Sequence, residues 1–263
     1  MDNCLINYKV KVEWEDGEED EYLIHENKSQ GDLIGYEKPF AQSLIGLNIG
    51  EKQSYDINGY KNTYKLKELY CEKLEHCIKE RELEFLYHFT DIENLTSILE
   101  NGLLSKDKLN NLQVIYNSND SDRLENKTDC ICCSIEYPNN RLRYTYEINY
   151  KTQFIIIELD INLLRGKNSY CSPSNAARNA GREIMPISFI ENLFIRNENS
   201  SQIFKKFPTD EQAEVLVKGH IELCYVTKIY VKDLLAKMIV ISELENKKLQ
   251  IPVIIDNSIF YRR

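Results

Sequence analysis

Three side chains in the chain are of a type and setting suited to chemistry on an anionic, hydroxyl-bearing ligand: His88, Arg123 and Glu214. His88 ends an apolar, strand-like run (FLYHFT) just before a helix start, where an imidazole and backbone N–H groups hold ribose or phosphate oxygens. Glu214 stands in FPTDEQAEVLV, a carboxylate entering an apolar strand, and a charge buried there is costly unless it faces a cleft. Arg123 lies in the polar loop YNSNDSDRLENKTD, where its permanent fork of donors suits an anionic or polar substrate. Two of them have an ordinary reading when taken alone: His88 as an edge-of-core histidine and Arg123 as a solvated loop arginine. His25, His76 and His220 have no HxxxH or HExxH partner, and Cys130, Cys132 and Cys133 give no paired CxxC spacing, so no metal is expected.

The elements that must carry these residues follow from periodicity. Asp91 is placed to cap the helix IENLTSILENG, whose Ile92, Leu95, Ile98 and Leu99 form one face and whose Gly102 can end it. Strands are expected at CICCSI, QFIIIEL, AEVLV, CYVTKIYV and KLQIPVII, and a helix at DLLAKMIVISELEN. The polar stretches 105–129 and 167–186 are candidate recognition loops. Upstream, residues 5–14 and 20–25 alternate apolar and polar around the turn Glu15-Asp16-Gly17-Glu18-Glu19, which predicts a hairpin. A short helix is expected over 38–46, then the strand QSYDI, then an amphipathic helix or connector over 62–84.

With 263 residues, 42% of them hydrophobic, the chain can build one large domain or two ordinary ones, which argues against disorder. No apolar run approaches the roughly 18–20 residues of a membrane-spanning helix, and MDNCLINYKV lacks the stages of a signal peptide, so a soluble, cytoplasmic protein with buried thiols is expected. The net charge is −9, yet residues 1–66 hold 7 Lys and Arg against 13 Asp and Glu, leaving the remainder nearly balanced. That distribution disfavours indiscriminate adhesion to duplex phosphate without excluding a small strand-reading site.

In combination the motifs resemble DarT-family ADP-ribosyltransferases. Tyr87-His88-Phe89-Thr90-Asp91-Ile92-Glu93-Asn94-Leu95 with SILENGLL is similar to the opening NAD-binding motif of that family, and Arg123, DCICCSIEYPN and Gln212-Ala213-Glu214-Val215-Leu216-Val217 follow in the family's order, over about residues 84–232. The resemblance implies a mixed-sheet transferase domain with NAD as co-substrate and a nucleobase of single-stranded DNA as acceptor. It implies Glu214 and Arg123 as the catalytic pair, with His88 and Thr90 contacting NAD, Ser97 and Ser105 along its binding wall, and Tyr144 on the nicotinamide side. An unpaired strand is expected because a base inside a duplex hides its reactive edge. Tyr137, Arg141, Arg143, Tyr144 and Tyr146 alternate aromatic and basic character and, with Arg178 and Arg182 of SPSNAARNAGR, are candidate strand contacts; half-buried strand tyrosines with solvated arginines are the alternative. CICCSIEYPNN replaces a more aromatic, proline-bearing segment of the thymidine-modifying pattern, so guanine or an RNA acceptor stays open, as does a protein acceptor.

A second resemblance lies at the front. GEEDEYLIHE and IGYEKPFAQSLIGLNIGEKQSYDI, about residues 8–58, are similar to the C-terminal FKBP-like domain of Gre transcription factors. It implies a docking module for RNA polymerase, the alternative being a stabilising or self-associating β domain. The expectation is therefore an α+β chain of two domains: a small FKBP-like β-rich domain over 1–66, a helical connector over 67–84, and an ADP-ribosyltransferase-type mixed-sheet domain over 85–263. Its expected role is that of a toxin or phage-defence effector restrained by an antitoxin that reverses the modification. The alternative of another class is a non-catalytic polymerase-binding protein.

Overall fold

The computed structural model describes residues 5–26, 29–45, 47, 49–118, 125–194 and 205–261. The front of the chain forms a five-stranded sheet. β1 (Lys9–Trp14) and β2 (Glu19–His25) make the expected hairpin, closed at Gly17, whose φ of 87° requires a residue without a side chain. β3 (Leu33–Gly35) and α1 (Pro39–Ser43) follow, and then β4 (Lys52–Ile57) and β5 (Tyr60–Tyr70), giving the order β3-β2-β1-β5-β4. Phe40 of α1 packs among Trp14, Tyr22, Tyr55 and Tyr64, with ring centroids 5.0–5.9 Å from it.

The helix expected over 62–84 is only half there. Residues 60–70 are strand, and α2 runs from Glu72 to Arg81. The cause is a bulge: the β1–β5 register slips between Lys11 and Val12, so Lys67 is extra, and the inward series Tyr64, Leu66 resumes at Leu69. A bulge of this kind turns period two into a spacing of three that reads as helical.

Beyond α2 come β6 (Phe85–Asp91), α3 (Leu95–Asn101), β7 (Leu103–Leu104), α4 (Lys106–Asn111), β8 (Cys130–Ile135), α5 (Asn140–Tyr150), β9 (Phe154–Asp160) and α6 (Leu163–Gly166). They are followed by β10 (Ser169–Ser172), β11 (Met185–Pro186), β12 (Glu214–Lys218), β13 (His220–Ile221), β14 (Val226–Val231), α7 (Leu234–Asn246) and β15 (Val253–Ile255). Eight of these strands form one mixed sheet in the order β11-β10-β12-β8-β6-β9-β14-β15, so the molecule is an α+β protein. The core runs without a break from Val10 and Leu66 through Leu74 and Cys77 to Ile157 and Leu193, and α2 packs on the 3-10 segment Ile187–Phe194. None of the helices among the described residues is long and apolar enough to cross a membrane.

One irregularity matters for function. β6 pairs with β8 only at Leu86↔Ile135 and Tyr87↔Ser134, although β6 continues to Asp91 and β8 begins at Cys130. Over the unpaired stretch each strand keeps its partner on the outer side, β6 with β9 and Cys130–Cys133 of β8 with β12. The two inner edges therefore separate beyond the second rung and open the middle of the sheet.

Candidate active site

The opening between β6 and β8 is a cavity of about 360 Å³, within the range of small-molecule sites. His88, Phe89 and Thr90 line one rim, Ile131, Cys132 and Cys133 the other, and Glu214 enters from the start of β12. His88 spans the gap: its Nδ1 donates to the carbonyl of Cys132 at 2.8 Å, tying the rims where the ladder has stopped.

Local sequence explains the β6 end. Asp91 accepts from the backbone N–H of Glu93 at 3.0 Å and starts the turn that leads into α3, as its capping position predicts. Thr90, 5% exposed, accepts from Nδ2 of Asn94 at 3.0 Å, and the side-chain carbonyl of Asn94 accepts from the backbone N–H of Asn117 at 2.7 Å. Asn117 also donates to Asp91 and Glu93, at 3.2 and 2.7 Å. These bonds fasten the segment bearing Tyr116, Asn117 and Ser118 against β6 as a wall of the cavity. Arg123, next along the same loop, lies outside the described residues.

Glu214 is 6% exposed, and its carboxylate is fixed at both oxygens. Oε1 accepts from Nδ2 of Asn175 at 3.3 Å and Oε2 from the backbone N–H of Ala176 at 2.9 Å. The loop after β10 thus orients the glutamate, and Asn175 and Ala177 line the cavity with it. Asn175 and Ala176 are thus donors to this buried carboxylate among the described residues, and Glu214 still lines the cavity that a ligand would enter.

His88, Thr90, Ser97, Glu214 and Tyr146 therefore meet around one space, the last with its ring 6.2 Å from that of Phe89. The other expected positions among the described residues do not line it. Ser105 is buried beside a separate cavity of about 240 Å³ with Lys108, Lys218 and His220. Tyr144 points outward, 57% exposed. Tyr137 donates to the carbonyls of Ser258 and Tyr261, at 2.9 and 3.0 Å, which ties down the end of the chain. Arg143 cannot touch a strand: it is 1% exposed and donates to Asn140 at 2.9 Å, Glu147 at 2.6 Å and the Phe260 carbonyl at 2.7 Å. The reason is that residues 140–150 are a helix, capped by Asn139, so the aromatic and basic residues do not alternate along one face. Arg141, Arg178 and Arg182 are exposed, and Arg178 lies 3.8 Å from Asp210. Asn94, Asn117, Asn139 and Asn175 are the polar lining that residue types alone did not single out. Among the described residues no group of three or more His, Cys, Asp or Glu is placed to hold a metal ion.

A mixed sheet opened at its centre, with a histidine on one rim and a buried glutamate lining the same cavity, is the arrangement of an ADP-ribosyltransferase. The family model described as "ssDNA thymidine ADP-ribosyltransferase, DarT" matches residues 87–261, and the chain belongs to the DarT family. Among solved structures, Thermus sp. 2.9 DarT in complex with carba-NAD+ is similar in fold, at a TM-score of 0.51 and 15% identity over 67% of this chain and 97% of that one. The same Thermus protein in complex with ADP-ribosylated ssDNA gives 0.50 and 15%, over 67% and 96%. Thermosipho africanus DarTG in complex with ADP-ribose gives 0.49 and 22%, over 67% of this chain and 51% of that one, so the chain spans about half the length of that relative. No curated protein matches the chain.

Proposed function

We propose that the chain transfers ADP-ribose from NAD to a thymine base of single-stranded DNA. The observation that carries this reading is the meeting of His88 and Thr90 with Glu214, more than a hundred residues further along the sequence, around one cavity in a chain of the DarT family. The Thermus complexes with carba-NAD+ and with ADP-ribosylated ssDNA support the choice of donor and acceptor.

In this reaction the bond from ribose C1′ to the nicotinamide nitrogen breaks and one from C1′ to a base nitrogen forms, with release of nicotinamide and of the proton that the base nitrogen carried. Glu214 is positioned to accept a hydrogen bond from a ribose hydroxyl and to stabilise the positive charge that develops on the sugar as the leaving group departs. His88, held by its Nδ1 bond and lining the cavity, is the imidazole placed to meet the ligand's polar groups. Arg123 completes the catalytic pair on the strength of the sequence resemblance, stabilising the deprotonated base or the diphosphate. Arg141, Arg178 and Arg182 are the exposed cations available to the strand.

The biological reading is a cytoplasmic toxin or phage-defence effector, held in check by an antitoxin that removes the mark and directed to transcription by the front sheet. Family resemblance supports the first part and the Gre-like pattern of residues 8–58 the second; co-purification of RNA polymerase with the full chain checks the latter. The test of the chemistry is incubation with NAD and single-stranded oligonucleotides. Thymine-containing strands should gain the mass of one ADP-ribose with the wild type and not with Glu214→Ala. A wild type that marks no DNA overturns the reading, and one that marks guanine or RNA instead overturns the choice of acceptor.

A further inference from the structure

The amide of Asn139 is an anomaly in the cavity wall. The residue is 1% exposed, at the turn between β8 and α5, and its backbone N–H donates to the Ser134 hydroxyl at 2.9 Å. Its side-chain oxygen is committed: Oδ1 accepts from the backbone N–H of Leu142 at 3.1 Å and caps α5. That cap also settles which end of the amide is which, since a backbone N–H must face the oxygen and not the nitrogen. Nδ2 is thereby turned the other way, and it meets no acceptor among the described residues. Leaving a buried donor unpaired is more costly than forgoing an ordinary hydrogen bond, so such a group calls for an explanation.

The surroundings supply one. Asn139 lines the cavity, as do Leu142 and the aromatic pair Phe89 and Tyr146, whose rings lie 6.2 Å apart. An amide donor in a lining that also offers aromatic and apolar surface suits a flat heteroaromatic ring carrying an acceptor oxygen. A residue this deeply buried is reached by the small terminal group of a dinucleotide more readily than by a base still attached to a strand.

Resting on the reading of this cavity as an NAD site, we propose that Asn139 donates its Nδ2 hydrogen to the carboxamide oxygen of the nicotinamide and so fixes the leaving group. Asn139 is then a substrate-binding residue whose one side chain both starts α5 and seats the ring.

Three substitutions separate the two duties. Asn139→Ser keeps an oxygen for the cap and removes the donor. Asn139→Asp keeps the cap and puts an acceptor where the donor was, and Asn139→Ala removes both. Free nicotinamide is the probe, used as a product inhibitor and in calorimetric titration, with KM for NAD, KM for oligonucleotide and melting temperature measured alongside. Asn139→Ser should melt near the wild type while its nicotinamide affinity falls and its KM for NAD rises, each by about three- to tenfold. Asn139→Asp should lose more affinity than Asn139→Ser, and Asn139→Ala should also melt lower. Wild-type nicotinamide affinity in the Ser and Asp variants overturns the proposal, as does an effect confined to KM for oligonucleotide, which would put the amide against the acceptor base. A wild type that binds nicotinamide but marks no oligonucleotide overturns the acceptor assignment, and Asn139 is then judged on affinity alone.

Discussion

Nδ2 of Asn175 lies 3.3 Å from Oε1 of Glu214, so the loop after β10 reaches the carboxylate across 39 positions of sequence. Because the backbone N–H of Ala176 holds the other oxygen, Asn175→Ala leaves the glutamate in place with one of its donors gone. Its kcat should fall by about tenfold, with KM for NAD changed less than twofold. Glu214→Ala should fall by about a hundredfold or more, and adding Asn175→Ala to it should lower the rate no further. Additive losses in the double variant would show that Asn175 acts independently of the carboxylate.

Arg143 and Arg141 sit two positions apart and should behave oppositely. Arg143 is sealed under Phe260, its guanidinium 5.2 Å from the ring centroid, and holds the end of the chain through the Phe260 carbonyl. Arg143→Ala should lower stability by about 2 kcal/mol in denaturant titration, as expected when a buried side chain with several hydrogen bonds is removed. Arg141→Ala should leave stability within about 0.5 kcal/mol and raise KM for the oligonucleotide. Unchanged KM for the strand would remove Arg141 from the interface.

Glu158 organises the far side of the sheet. It is 1% exposed, and its carboxylate accepts from Tyr87 at 3.0 Å, Tyr230 at 2.8 Å, Thr227 at 2.7 Å and Lys228 at 2.8 Å. Burial alone would raise its pKa, but Lys228 and the three hydroxyls outweigh that and hold it below the ordinary carboxylate value. A depressed folded-state pKa contributes stability above the unfolded value of roughly 4.3, and the contribution is lost as pH falls through the lower folded value. Glu158→Gln should therefore cost about 2 kcal/mol at neutral pH and flatten the loss of stability on acidification below about pH 4. An unchanged acid limb in thermal melts would contradict it.

Gly102 closes α3 with φ at 71° and ψ at −174°, a region open essentially to glycine. A Cβ there would lie 2.5 Å from both Nε2 of His220 and the carbonyl of Ile221. Gly102→Ala should destabilise by more than about 2 kcal/mol, and because Gly102 lines the cavity it should also weaken NAD binding. A melt within a degree of wild type would show that the β7–β13 contact yields without strain.

Much of this was legible in local patterns. The run from Tyr87 to Leu95 shows a strand, a capping aspartate and a helix because each signal lies within a few residues of the next, and Glu214 stands out as a charge in an apolar strand. Asn175 and Asn139 were not legible, since an asparagine in a loop is ordinary and only the fold shows what its amide faces. β5 was hidden by its bulge at Lys67, and α5 by tyrosines and arginines whose alternation mimics a strand while the signal that decides, the cap at Asn139, is one residue. Ser105 sits close to the motif in sequence, yet at the turn into α4 it lines a separate cavity.

The gap between β6 and β8 gives the protein a seam. Two rungs join the halves of an eight-stranded sheet, while the lips beyond them are stiffened from behind by β9 and β12. A ligand that bonded to both lips at once would act as the crosspiece the backbone leaves out. Occupancy and cohesion of the two halves would then be one quantity, and amide exchange along both lips should slow together when NAD is added.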